Sequence, residues 1–112
     1  MEVKGVEIMT DVEKSMAEKL LKLNVELSQA EKEYVDKKLD LELLKAQYAL
    51  KNDWEKVFDK KKVTVSEKEA YIKDATEIQE REINELRCRK DYLKRVYEIH
   101  KDMYRMEIYG DG

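Results

Sequence analysis

The chain has no proline, and its three glycines, Gly5, Gly110 and Gly112, all lie near the ends. Nothing between Asp11 and Tyr109 therefore carries the two strongest helix breakers. One cysteine, Cys88, excludes an intramolecular disulfide framework, and one histidine, His100, leaves no pair of imidazoles for a metal. No apolar run approaches the ~20 residues needed to cross a bilayer. The opening MEVKGVEIM lacks the apolar core of a secretory signal. The expectation is a cytoplasmic protein with no membrane partner. Gly-rich phosphate loops, zinc-ligand spacings, nucleophile elbows and Glu-x-x-His pairs are all missing, so the chain is expected to be no enzyme and to hold no cofactor or metal.

Charge is abundant instead. Asp, Glu, Lys and Arg make up 44% of the 112 residues, against about 25% in an ordinary globular domain. Extended helices, with much surface for their volume, accommodate that fraction, whereas a compact core does not. Hydrophobic residues still account for 42%, they recur regularly, and the net charge is only −3, which argues against disorder.

The periodicity is helical. After an arm over residues 1–10, Thr10 and Glu13 form a capping box that starts a first helix over about residues 11–59. Met16, Leu20, Leu23, Leu27, Ala30, Tyr34, Leu41, Leu44 and Tyr48 follow in steps of four and three, a heptad seam interrupted at Lys37. A second row, Leu21, Val25, Val35, Leu39, Leu43, Ala46, Leu50, Trp54 and Val57, widens it. A basic connection over residues 60–66 carries two overlapping capping boxes, Ser66 with Glu69 and Thr64 with Glu67. A second helix, about residues 67–109, places Ile72, Ala75, Ile78, Ile83, Leu86, Leu93, Val96, Tyr97, Met103 and Tyr104 along one side. Cys88, Tyr92, Ile99 and Met106 flank them, and Gly110 ends the helix.

Two such helices joined by a short connection predict an all-α fold, a long antiparallel helical hairpin with coiled-coil packing. Folding near Val63 sets Tyr48 against Ile78 and Leu27 against Ile99 and His100. A lone hairpin buries one stripe per helix and leaves the second rows wet. At ~25 cal/mol per Å² of apolar surface this favours a homodimer, an elongated four-helix bundle.

Two places stand out for partners. Trp54 and Phe58, beside Lys60, Lys61 and Lys62, form an aromatic and basic tip that either anchors another protein or plugs the end of the bundle. Along the second helix, residues 67–86 hold seven acids and three bases, while residues 87–109 hold seven bases and four acids. Arg87, Arg89, Lys90, Lys94, Arg95, Lys101 and Arg105 are interleaved with tyrosines, a pattern suited to nucleic acid. The same bases also complement a helix C-terminus and the acids of an antiparallel neighbour. Cys88, between Arg87 and Arg89, and His100, in the seam, read as packing residues. Lys37, Glu82 and Arg89 read either as register-setting polar residues or as edge residues with wet heads.

The stretch Val65-Ser66-Glu67-Lys68-Glu69-Ala70-Tyr71-Ile72, leading into a continuous charged helix, resembles the small coiled-coil hairpin proteins of phages and prophages of Gram-positive bacteria. That resemblance implies an accessory protein that binds a host or phage protein, including as an inhibitor of a defence system, or one that works beside DNA replication and recombination.

Overall fold

The computed structural model describes residues 10–110, so the arm expected over residues 1–10 lies almost wholly outside the described residues. Four helices follow in order: α1 (Asp11–Ala49), α2 (Trp54–Phe58), α3 (Val65–Ala75) and α4 (Glu77–Tyr109). No strand occurs among the described residues, and the fold is the all-α helical hairpin expected. Its packing divides into two compact units. Among the described residues, one is formed by residues 10–31 with residues 89–110, the other by Lys32–Cys88.

Local chemistry sets the helix starts. Glu13 N–H donates to Thr10 Oγ1 and Thr10 N–H to Glu13 Oε1, both at 3.0 Å, closing the first capping box. At the second start Thr64, not Ser66, is the cap. Thr64 Oγ1 accepts from Glu67 N–H at 3.2 Å, and the Glu67 carboxylate accepts from Thr64 N–H at 3.1 Å. The helix thus begins at Val65, two residues before the boundary expected.

Two interruptions depart from the sequence reading. The first helix ends at Ala49 and a short α2 follows, where one helix through residue 59 was expected. Asn52 and Asp53, both weak helix formers, supply the local weakness. The gain is burial of Trp54, which is 5% exposed instead of lying on the outer row. Covering an indole of ~200 Å² is worth roughly 5 kcal/mol at ~25 cal/mol per Å², more than the few helical hydrogen bonds given up at about 1 kcal/mol each. Asp59, in the left-handed region at φ 53°, then turns the chain out of α2.

The second interruption is Thr76, between α3 and α4. Its side chain is fully buried, and Oγ1 donates to the Ile72 carbonyl at 2.7 Å. A hydroxyl that bonds back to the preceding turn bends a helix, and nothing in the hydrophobic pattern marks it.

Within the first unit Leu27, Ala30 and Leu93 form the core, with Tyr97 packed against them. Leu27 therefore meets Leu93 and Tyr97 and not Ile99, which is exposed. Met16 and Lys19 line a shallow hollow with His100 and Met103. In the second unit Leu41, Trp54 and Ile83 are buried, and Lys45 Nζ reaches Glu80 Oε1 at 2.6 Å. Tyr48 packs edge-on to Tyr71 with centroids 6.0 Å apart. It was expected opposite Ile78, which instead is exposed. The irregular residues 50–53 take up chain that a continuous helix would have carried past this point, which shifts the facing pairs.

Candidate interaction surfaces

At the connection, four aromatic rings come together. Trp54 stands edge-on to Tyr71 with centroids at 5.3 Å, Phe58 is 5.8 Å from Tyr71 and 6.1 Å from Trp54, and Tyr48 completes the group. These are the offset and edge-to-face arrangements that the ring quadrupole favours. Lys68 Nζ lies 6.0 Å from the centre of the Trp54 ring. The group fills the interior of the second unit at its turn. A partner has access to the half-buried Phe58 but not to the indole of Trp54, which is already covered by its own chain.

The three lysines beside it have different surroundings. Lys60 Nζ is 2.5 Å from Glu67 Oε2, tying the turn to the capping box of α3. Lys61 and Lys62 are exposed, with no ion pair to a carboxylate among the described residues. Lys60, together with the Thr64 backbone N–H, holds the Glu67 carboxyl below the usual carboxylate range.

The basic section of α4 is not one surface. Lys90 and Lys101 are half-buried, Lys90 paired with Asp91 at 2.9 Å and Lys101 3.9 Å from Glu98. Arg87 is exposed and donates to Asn84 Oδ1 at 2.9 Å. Arg89, Lys94, Arg95 and Arg105 are exposed. Of the tyrosines, Tyr97 packs against the core and Tyr104 is half-buried, so only Tyr92 and Tyr109 present their rings freely. The bases and tyrosines interleaved in sequence are therefore spread round the helix, with Tyr97 and Tyr104 turned inward and the exposed bases on more than one side.

Cys88 is exposed and not a packing residue. Lys37, Glu82 and Arg89 are exposed as well, with Lys37 and Glu82 bordering a hollow above Leu41, Leu44 and Ile83, so they occupy the edge of the seam. His100 is half-buried between Met16, Lys19 and Met103. Among the described residues no group of three His, Cys, Asp or Glu side chains is placed to hold a metal ion, and no helix is long and apolar enough to cross a membrane.

Much apolar surface is left uncovered. Seven hydrophobic residues are buried among the described residues, against fifteen large ones that are exposed. On α1 in the second unit, Val35, Leu39 and Leu43 follow at four-residue steps, each more than half exposed. Comparison with protein-family models, with characterised proteins and with solved structures finds no match to the chain.

Proposed function

We propose that this chain is a non-enzymatic helical interaction module that self-associates and acts by binding another protein. The observation that carries this reading is the exposed row Val35, Leu39 and Leu43, whose remaining burial by a partner is worth roughly 1 kcal/mol per side chain. A helical partner laying its own apolar stripe on this row fits the spacing. The resemblance to phage and prophage hairpins makes a host or phage protein, including a component of a defence system, the class of target. The test is affinity capture from a bacterial lysate treated with nuclease, comparing the natural chain with Leu39→Asp plus Leu43→Asp. A protein retained by the first and lost by the second, with both melting alike, supports the reading; identical capture by both rejects this row.

A second reading, a nucleic-acid-binding accessory factor, draws on the exposed Lys94, Arg95 and Arg105 of α4 and the exposed Tyr92 and Tyr109. Phosphate contacts by these bases demand an affinity that falls steeply as salt rises. Absence of binding to single- or double-stranded DNA or RNA at low salt rejects it.

A further inference from the structure

A second uncovered row lies on α4 within the first unit. Tyr92, Ile99 and Met106 recur at seven-residue steps and are each more than half exposed, with Met103 nearly half exposed and Val96 half-buried between them. Seven residues is close to two helical turns, so these side chains share one side of the helix. Leu93 and Tyr97, which pack in the core, lie on another.

The order of this row reads alike in both directions. Tyr92 and Met106 stand seven residues to either side of Ile99, while Val96 stands three before it and Met103 four after. An isologous contact needs that self-complementarity. The charged rim has the same symmetry with opposite signs. On one edge Arg95 lies four residues before Ile99 and Asp102 three after; on the other, Arg89 lies ten before and Glu107 eight after, and all four are exposed. A second copy turned about a twofold near Ile99 sets each Arg95 beside the other copy's Asp102 and each Arg89 beside the other copy's Glu107. A parallel pairing would turn the Arg95 and Asp102 edge against the other copy's Arg89 and Glu107 edge, with Arg95 nearest Arg89 and Asp102 nearest Glu107, so the rim also selects direction. Glu98, the acid nearest the axis, lies further round the helix and has Lys101 3.9 Å away.

We propose that this side of α4 is the self-association surface, binding a second copy of the chain antiparallel about Ile99. The inference rests on the reading above that the chain self-associates, and it leaves the α1 row for the other protein. It also assigns Arg89 and Arg95 to the rim of a dimer.

Two measurements on the full chain test it. Sedimentation of Arg95→Glu and of Asp102→Arg should each show dimerisation weakened about tenfold, two symmetry-related pairs being turned repulsive, and the double reversal should restore it. Oxidative crosslinking should join two copies of Ile99→Cys in a Cys88→Ser background. The natural Cys88 should not crosslink, because antiparallel pairing holds the two thiols 22 residues apart along the axis, about 33 Å at 1.5 Å per residue. A dimer that ignores the charge reversals and crosslinks through Cys88 overturns this surface while leaving self-association standing. A chain that remains monomeric at every concentration overturns both.

Discussion

Replacing Trp54 with alanine separates a structural tip from a partner anchor. The indole is 5% exposed, touches Phe58 and Tyr71 through rings 6.1 and 5.3 Å away, and has Lys68 above it at 6.0 Å. Truncating a buried tryptophan costs about 3–5 kcal/mol, including about 0.5–1.5 kcal/mol for each aromatic pair lost. The site lies in a thin layer beside a five-residue helix that can partly collapse, which places the expected loss near the lower bound, about 3 kcal/mol. That is a large share of a total stability of about 5–15 kcal/mol. Urea unfolding followed by the helical circular dichroism signal measures it, and Trp54→Phe, which keeps one ring in place, should lose about half as much. Trp54 is also the only tryptophan, so the folded chain should show blue-shifted emission that moves to the red on unfolding. A loss below about 1 kcal/mol, or emission already resembling free indole in the native chain, would refute the packing argument and return Trp54 to the list of accessible anchors.

Leu93→Ala should cost about 2–4 kcal/mol in the same urea assay, because Leu93 closes the core formed with Leu27 and Ala30; an effect like that of an exposed site would contradict the facing pair. Thr76→Val should cost only about 1 kcal/mol despite complete burial, since the Ile72 carbonyl that loses the hydroxyl still accepts the Thr76 N–H at 3.0 Å; its reading is the shift in urea midpoint. Glu67 is charged in the folded chain down to a lower pH than when unfolded, because Lys60 and the Thr64 N–H favour the carboxylate. Its contribution is therefore complete above the unfolded value of 4.5 and disappears as pH falls through the folded one. Melting curves of Glu67→Gln and the natural chain should differ at neutral pH and converge in acid.

The parts of the fold legible in the sequence are those set by neighbours along the chain. Thr10 with Glu13 marks a helix start because a capping box closes within four residues, while at the second start the sequence offered Ser66 with Glu69 ahead of the Thr64 and Glu67 box that forms. The seam spacing of α1 likewise picks out Leu23, Leu27, Ala30 and Leu41, all buried. What escaped the sequence was decided by contacts distant along the chain. Leu50 to Asp53 contain neither proline nor glycine, and the helix breaks there because Trp54 finds Tyr71. Ile78 follows the seam pattern but is exposed, two residues beyond the interruption at Thr76, where a buried hydroxyl alters the helix and leaves no periodic trace. For the candidate surfaces, the second rows could be read from their spacing. Their accessibility could not, since Leu43 and Trp54 share one row in the sequence yet the first is exposed and the second is buried by its own chain.

The aromatic group at the turn has a consequence for the order in which the chain folds. Trp54 and Tyr71 are separated by 17 residues, Lys45 and Glu80 by 35, and Leu27 and Leu93 by 66. Closing a loop costs more entropy the longer it is, so contacts at the turn form over the smallest barrier and each later pair is brought nearer by those already made. Folding should therefore nucleate at Trp54 and Tyr71 and zip outward. Trp54→Phe would slow folding, whereas Leu93→Ala would mainly hasten unfolding, a division that stopped-flow chevrons on the two variants resolve directly.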